Sequence, residues 1–141
     1  MEIRIIQKDE ISPELVQRIS ELLKQLNPEL KSGGLIEIIS KSKDLYIVCA
    51  CEGHEVLGMA SLAIYQVLSG KKGWIEDVVV DQKHRRKGVA RMLTEKLIQL
   101  GKEQGLEQLL LYTGTHRKAA QQLYEKCGFE RKNSYLYMLT P

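Results

Sequence analysis

Residues 74–91 read Trp-Ile-Glu-Asp-Val-Val-Val-Asp-Gln-Lys-His-Arg-Arg-Lys-Gly-Val-Ala-Arg, and this stretch decides the fold of the chain. Its first half is rich in valine and isoleucine, which predicts a strand buried in a sheet. A short basic loop follows and leads to Gly88; the cations of this loop are Lys83, Arg85, Arg86 and Lys87. The periodic apolar residues after Gly88 predict a helix that begins there. A strand, a basic loop and a helix therefore follow one another directly.

The start of that helix is suited to an anion. The first N–H groups of a helix have no partner inside it, and the helix dipole makes this end positive. A glycine lets the backbone approach a ligand closely, and the flanking Arg and Lys side chains add charge. We therefore expect a phosphate or pyrophosphate site at residues 85–91. A nucleic-acid or nuclear-import patch and a solvated turn are the alternatives for this loop.

Length and composition predict one domain over residues 1–141, with 43% hydrophobic and 28% charged residues. The net charge of +3 is too small to indicate a nucleic-acid partner by itself. The chain has no apolar run of ~20 residues that would predict a membrane span, and its first residues lack the pattern of a signal peptide. Three cysteines are an odd number, which argues against a disulfide framework and favours the reducing cytoplasm.

Strands are predicted on both sides of the first helices. A short strand is expected over residues 2–6, and a hairpin over residues 44–52 and 55–68 with its turn at Gly53-His54. A second turn is expected over residues 70–73, from which the chain enters the central strand. These patterns predict three antiparallel strands in succession.

Helical spacing of leucine and isoleucine predicts a helix that is capped by Ser12 and stops at Asn27-Pro28. A flexible join is expected over residues 31–34, Lys-Ser-Gly-Gly, and a second short helix over residues 35–40. Both helices precede the hairpin. The N-terminal part of the chain is therefore expected to supply a strand and two helices.

The remaining residues predict a strand–helix–strand unit and then a further helix. The helix that begins at Gly88 is expected to close over residues 101–105 and to lead to a leucine-rich strand over residues 108–112. Because a helix joins them, that strand and the central strand should run parallel. A helix that ends at Gly128 should follow, and then a last pair of strands, residues 129–131 and 134–139.

Two motifs in this order resemble those of the GNAT superfamily of N-acetyltransferases. Residues 85–90, Arg-Arg-Lys-Gly-Val-Ala, fit the pattern Arg/Gln-x-x-Gly-x-Gly/Ala. Residues 117–129 are similar to Asn-x-x-Ala-x-x-Leu/Phe-Tyr-x-x-x-Gly-Phe, with Arg117 where many members carry Asn. With the elements between them, the motifs cover roughly residues 45–131. The resemblance implies a GNAT α/β fold: a mixed, mostly antiparallel sheet that is splayed at its centre, with helices on both faces.

The resemblance also implies direct transfer of acetyl from acetyl-CoA to a primary amine, here expected to belong to a small molecule. In the family, the region between the first two strands forms much of the acceptor pocket. Val78 and Val80 would pair through their backbone with the pantetheine arm, Val79 lies between them, and a backbone N–H at the end of this strand would polarise the thioester. The residues expected to hold the pyrophosphate are Arg85, Arg86, Lys87, Gly88, Val89, Ala90 and Arg91.

Tyr124 is the first candidate for catalysis. Acyl transfer from a thioester leaves a thiolate, and a phenol within hydrogen-bond reach can stabilise or protonate that sulfur. Tyr124 also shares an apolar helix face with Ala120 and Leu123, so packing is the alternative reading.

Glu76 is the second candidate, because an alkyl ammonium with a pKa of ~10.4 must lose its proton before it can attack. An acidic residue near this position serves as the base in many GNAT enzymes. Asp77 is the other carboxylate available. Strand alternation would point Glu76 and Asp77 to opposite faces, one of them toward solvent. The family's bulge in this strand, which opens a cleft for the thioester, is also expected here.

The expected partners are acetyl-CoA and an amine acceptor, without a membrane, a nucleic acid or a metal; the sequence leaves a homodimer open. Cys49 and Cys51 fall on one face of a strand, and the sequence offers no nearby His or Cys pair, which favours burial over metal binding. Three alternatives to a small-molecule enzyme remain. They are a protein or peptide N-acetyltransferase, an acyl-CoA-binding protein without turnover, and a nucleic-acid-binding module.

Overall fold

The computed structural model describes residues 1–31 and 33–141. The predicted join at residues 31–34 includes Ser32, which lies outside the described residues. The strands and helices are β1 (Glu2–Ile5), α1 (Pro13–Leu26), α2 (Leu35–Lys41), β2 (Leu45–Glu52), β3 (Glu55–Val67), β4 (Gly70–Val80), α3 (Val89–Glu103), β5 (Gln108–Leu110) and α4 (Lys118–Lys126).

The strands form one open sheet in chain order, from β1 to β5. Neighbouring strands from β1 to β4 are antiparallel, whereas β5 runs parallel to β4. Helix α3 makes the crossover that a parallel pair requires. The predicted mixed, mostly antiparallel sheet is thereby confirmed.

Helices cover both faces of the sheet, as predicted. On one face, Leu93 and Leu97 of α3 are fully buried against the apolar side chains of β2, β3 and β4. On the other face, Ile19 and Leu22 of α1 pack against the alternate residues of the same strands. Both sides of the central strands are therefore shielded from water, which explains their nearly continuous hydrophobic sequence. Met92, which falls next to the apolar stripe of α3, is exposed.

Cys49 and Cys51 lie in β2 on the α1 side of the sheet and are buried. Burial raises the pKa of the Cys49 thiol to about 12. Both thiols are therefore protonated packing groups at neutral pH. In the described part of the chain, no three His, Cys, Asp or Glu residues are grouped in a way that could hold a metal ion.

The predicted turn over residues 70–73 is wrong. The chain reverses one step earlier, at residues 68–69, and β4 already begins at Gly70. Gly73 is a strand residue paired with Ile64 and Leu109. A Cβ at this position would lie 2.6 Å from Leu106 Cδ1, so close packing rather than a turn requires this glycine.

The end of the chain differs from the prediction in two ways. Strand β5 is shorter than the predicted residues 108–112, because its pairing with β4 stops at Leu110. Residues 129–131 and 134–139 form no strands, so the predicted last pair is wrong. Phe129 packs against the core on the α3 side, whereas residues 134–139 are exposed and do not pair with the sheet of their own chain. Across residues 1–31 and 33–141, no helix is both long and apolar enough to cross a bilayer.

Candidate active site

A cleft begins where β4 and β5 stop pairing. Their last paired residues are Trp74 and Leu110. Beyond this point, a cavity of about 290 Å³ lies between the second half of β4 and the segment that follows β5. The end of α1, the residue before α4 and the last turn of α4 also line it. Its lining residues are Leu23, Leu26, Asn27, Leu30, Ile75, Glu76, Asp77, Val78, Leu111, Tyr112, Thr113, Gly114, Arg117 and Tyr124.

A β-bulge shapes the β4 wall of this cleft. Ser61 of β3 pairs with Glu76 and Met59 pairs with Val79, so Asp77 and the next residue of β4 together oppose a single residue of β3. Asp77 has a φ of +54°, in the left-handed region that few residues other than glycine adopt. The hydroxyl of Ser61, a buried residue, donates a hydrogen bond of 3.0 Å to the carbonyl oxygen of Glu76 and supports the bulge.

The bulge corrects the prediction that Glu76 and Asp77 point to opposite faces. Regular alternation requires extended backbone at both residues, and the left-handed Asp77 interrupts it. Both residues therefore line the same cleft, and the Asp77 carboxyl group hydrogen-bonds with Ser61, the residue that pairs with Glu76. The bulge that the family resemblance implied in this strand is thereby confirmed, and its place at Asp77 comes from the structure, since no glycine or proline in the sequence marks it.

The pKa values of both carboxyl groups are raised, so each group binds a proton more readily than a carboxylate in water does. Burial raises the pKa of Glu76, and the nearby charge of Asp77 raises it further. Burial also raises the pKa of Asp77, although hydrogen bonding to Ser61 opposes this effect. A carboxylate with a raised pKa is a stronger base than one in water, which suits it to take a proton from an ammonium group.

Tyr124 reaches the same cleft from α4. Its ring packs against Phe129 edge to face, with the ring centroids 5.9 Å apart. Burial raises the pKa of Tyr124, an effect that the positive charge of Arg117 partly offsets. The phenol is therefore protonated at neutral pH and can donate its hydrogen. Its ring contributes to packing as well, so the packing and catalytic readings are compatible.

Sequence analysis gave no site role to two cleft residues, Thr113 and Arg117. The hydroxyl oxygen of Thr113 is buried and has no hydrogen-bond partner in the described chain. Such a group costs about 1–3 kcal/mol when it stays unpaired, and a ligand in the cleft would satisfy it. Arg117, the motif position where many GNAT members carry Asn, adds a cation to a cleft that holds two carboxyl groups.

The predicted anion site lies at the start of α3. Gly88 is the N-terminal capping residue of this helix, and its φ of +78° favours glycine. The first backbone hydrogen bond of α3 runs from Met92 to Gly88, so the N–H groups of residues 89–91 precede the helical ladder. A Cβ at Gly88 would meet no atom within 4 Å. The space in front of these N–H groups is open, which fits a phosphate group.

The basic loop is ordered by contacts with its own chain. Arg85 Nε donates a hydrogen bond of 3.1 Å to the carbonyl oxygen of Val80, at the end of β4. Arg86 has a φ of +66°, so the loop turns sharply directly before Gly88. Arg91 forms an ion pair of 2.9 Å with Glu95, one helical turn further along α3. The loop is therefore tied to the end of β4 directly before the helix start.

A mostly buried ion pair anchors this loop to the body of the protein. Arg18 of α1 donates hydrogen bonds to Asp81 and to the carbonyl oxygen of Val56. The other carboxylate oxygen of Asp81 accepts a bond of 3.1 Å from the backbone N–H of Lys83. The hydrogen bond from Arg18 is the main reason that the pKa of Asp81 falls to about 2. Sequence analysis missed this pair because its partners are 63 residues apart.

The fold and the candidate site together indicate a class of protein. The bulged central strand of an open sheet leads from a cleft lined by Glu76, Asp77 and Tyr124 to a basic helix start, which is the arrangement expected of an acyltransferase with a phosphate-bearing donor. The model of the acetyltransferase (GNAT) family matches residues 12–129, and the chain belongs to this family. It is a GNAT acetyltransferase domain, as its two motifs indicated.

Curated relatives support the same assignment. Glucosamine 6-phosphate N-acetyltransferase 1 of Dictyostelium discoideum is 30% identical over 111 residues, which cover 73% of this chain and 69% of that protein. Human N-acetyltransferase 8 is 38% identical over 52 residues, 37% of this chain. That match spans only 23% of the human protein. The match to N-acetyltransferase family 8 member 2 of Rattus norvegicus spans 38% of that protein.

Solved structures agree on the fold. A putative acetyltransferase from Agrobacterium tumefaciens superposes with a TM-score of 0.85 over 99% of this chain and 100% of that one, at 22% identity. Glucosamine-6-phosphate N-acetyltransferase from Arabidopsis thaliana has a TM-score of 0.75 and 26% identity, with 99% and 98% of the two chains covered.

Proposed function

We propose that this domain transfers an acetyl group directly from acetyl-CoA to the primary amine of a small molecule. One observation carries the proposal: the cleft holds Glu76, Asp77 and Tyr124 together, at the end of β4 that leads to the anion site. A base for the amine and an acid for the departing sulfur are the two groups that this reaction uses.

The donor is proposed to lie along the unpaired half of β4. Beyond Trp74 the strand has lost β5 as its partner, so its backbone groups on that side are available to the amide groups of pantetheine. Val78, Val79 and Val80 form this stretch. The pyrophosphate would meet the α3 start through Arg85, Arg86, Lys87, Gly88, Val89, Ala90 and Arg91. The unpaired hydroxyl of Thr113 supports a polar ligand opposite β4.

The proposed reaction needs no covalent enzyme intermediate. Glu76 takes a proton from the bound ammonium group, directly or through a water, and the amine lone pair then attacks the thioester carbonyl. The C–N bond forms and the C–S bond breaks as the tetrahedral intermediate collapses. Tyr124 donates its hydrogen to the leaving sulfur, and the second proton lost by the nitrogen restores the Tyr124 phenol, directly or through a water. The products are the acetamide and CoA thiol, and the proton taken by Glu76 is released to solvent.

A small acceptor is favoured by the dimensions and charge of the cleft. Its volume of about 290 Å³ is close to the lower limit of small-molecule sites, roughly 300–1,000 Å³. Glu76 and Asp77 would attract an ammonium group, and Arg117 is available to an anionic group on the same molecule. The Dictyostelium and Arabidopsis relatives are named for glucosamine 6-phosphate, an acceptor of this kind.

We also propose a cytoplasmic location, which the three free cysteines favour. A nucleic-acid module is disfavoured because the basic loop leads directly into the open start of α3, which suits a single phosphate or pyrophosphate, and because the net charge of the chain is only +3. A peptide N-terminus is the competing acceptor, since N-alpha-acetyltransferase 30 of Xenopus laevis is 37% identical over 70 residues.

The test is a screen for acetyl-CoA-dependent thiol release across small amines, amino-sugar phosphates and short peptides with free N-termini. We expect turnover with at least one small amine, with one acetylated product detected by mass spectrometry for each thiol released. Turnover with peptides alone would overturn the small-molecule assignment. Tight binding of acetyl-CoA without turnover on any acceptor would favour the non-catalytic acyl-CoA-binding protein.

A further inference from the structure

His84 lies between a carboxylate and a cation at the base of the basic loop. Its Nε2 is 3.2 Å from a carboxylate oxygen of Glu55, the first residue of β3, and its Nδ1 is 3.4 Å from the ammonium nitrogen of Lys87. The imidazole side chain is only 16% exposed, whereas that of Glu55 is 58% exposed. The ring is therefore largely enclosed, and each of its nitrogens faces a side chain that can carry charge.

One neutral form of the ring satisfies both contacts. A lysine ammonium carries only donors, so His84 Nδ1 must accept the hydrogen bond from Lys87. The ring proton of the neutral imidazole is then on Nε2, where it faces the carboxylate of Glu55, which only accepts. The other neutral tautomer would turn a lone pair toward Glu55 and a proton toward Lys87. The contact with Glu55 therefore keeps His84 in the tautomer that can accept from Lys87.

The fold holds His84 more firmly than Lys87. The N–H of His84 donates a hydrogen bond of 2.8 Å to the carbonyl oxygen of Asp81, the residue that pairs with Arg18 of α1. Lys87 lies beyond the sharp turn at Arg86 and is exposed. A long flexible side chain in such a position loses conformational entropy when it is fixed. The contact with His84 restrains the Lys87 side chain before any ligand binds.

From this arrangement we infer that His84 is a positioning residue for the donor: it holds the ammonium group of Lys87 at the start of α3, where Lys87 binds a phosphate group of acetyl-CoA. The inference rests on the proposed function, in which Lys87 belongs to the pyrophosphate site. Lys87 directly precedes Gly88, the capping residue of α3, so its charge adds to the positive end of the helix. A cation that is already restrained costs less entropy on binding than a free one. His84 thus acts through Lys87 and not on the reacting atoms.

Two substitutions of His84 separate the roles of its two nitrogens. The side-chain amide of His84→Asn ends near the position of Nδ1, so its oxygen can still accept the hydrogen bond from Lys87. The longer amide of His84→Gln ends near the position of Nε2, so it can meet Glu55 but provides no acceptor for Lys87. His54→Gln is the matched control, because His54 is exposed in the neighbouring hairpin turn.

The dissociation constant of acetyl-CoA, measured by calorimetry, tests the inference. His84→Gln should weaken binding by about two- to tenfold, the range expected for immobilising one flexible side chain. His84→Asn and His54→Gln should bind acetyl-CoA like the wild type. The kcat with any accepted amine should stay unchanged in all three variants, since none of them alters a reacting group. Lys87→Met should abolish the difference between His84→Gln and His84→Asn, because the two positions act as one pair.

The outcomes separate this inference from the function on which it rests. A wild type that does not bind acetyl-CoA would overturn both. Binding by the wild type with the same affinity in His84→Gln would overturn the positioning role alone. Equal losses of affinity in His84→Gln and His84→Asn would show that the ring only packs, and would also overturn it. So would a difference between these two variants that persists when Lys87 is replaced by methionine.

Discussion

Glu76 and Asp77 are adjacent in β4, yet both line the cleft that opens toward β5. The bulge opposite β3 and the left-handed backbone of Asp77 bring this about. Burial raises the pKa of each carboxyl group, and the charge of Asp77 adds to the rise at Glu76. The strained backbone, which costs on the order of 1–3 kcal/mol, thus gives one cleft two coupled carboxyl groups.

The pH dependence of kcat/KM distinguishes their roles. Glu76→Gln should remove the acidic limb of the profile and lower the rate by about 10²–10⁴, because the amine loses its base. Asp77→Asn should keep the limb and shift it to lower pH, since the charge that helps to raise the pKa of Glu76 is gone. Asparagine tolerates the left-handed backbone at this position, so the bulge should persist.

The opposite outcome is equally informative. A limb that disappears in Asp77→Asn but persists in Glu76→Gln would make Asp77 the base. Unchanged profiles in both variants would mean that neither carboxylate accepts the proton.

Tyr124→Phe should reduce kcat by about a hundredfold, near the low end for general acid assistance, because a thiol is already a fair leaving group. The effect should fall on kcat rather than on KM, since the hydroxyl acts on charge that appears as the thioester breaks. The ring contact with Phe129 is kept, so the melting temperature should change little. Tyr46→Phe, the same change in β2 outside the cleft, is the control. Wild-type kcat in Tyr124→Phe would leave Tyr124 with a packing role only.

Asp81→Asn should lower the free energy of unfolding at neutral pH by about 3 kcal/mol, since it removes the buried carboxylate that pairs with Arg18 and leaves this cation only its more exposed pair with Glu21. Asp81 ionises more readily in the folded state, where its pKa is about 2, than in the unfolded chain, where it is near 3.9. Its contribution is therefore complete above about pH 4 and is lost as the pH falls toward 2.

Chemical denaturation from pH 7 down to pH 2 measures this contribution. The stability difference between the wild type and Asp81→Asn should shrink across the acidic range. Glu95→Gln, which breaks the exposed pair with Arg91, should have little effect at any pH. A difference that stays constant down to pH 2 would rule out the Arg18–Asp81 charge interaction as its source.

The sequence predicted the features that depend on local pattern. These features are valine-rich β4, the helix that follows Gly88 and the apolar face of α1. Each results from hydrophobic periodicity or from a capping residue. The bulge in β4 was expected from the family resemblance alone, because its place at Asp77 depends on the register between two strands. The Arg18–Asp81 pair was missed, because it joins elements that only the fold brings together. The last predicted pair of strands, residues 129–131 and 134–139, was wrong, because an apolar pattern with β-forming residues does not show whether the fold offers these residues a strand to pair with.

The central claim is that acetyl-CoA binds at the start of α3, and the melting temperature with and without acetyl-CoA tests it without knowledge of the acceptor. At about 100 times its dissociation constant, acetyl-CoA should add ~2.7 kcal/mol to the stability of the wild type. Gly88→Glu should abolish this gain, because it puts a negative charge where a phosphate group would lie.

Gly105→Glu is the matched control for that variant. Gly105 also has a positive φ, +70°, and open space at its Cβ, but it lies beyond the far end of α3. Both variants therefore introduce the same strain and charge, and only Gly88→Glu should lose the stabilisation by acetyl-CoA. An equal rise in melting temperature in the wild type, Gly88→Glu and Gly105→Glu, or no rise in the wild type, would contradict the account.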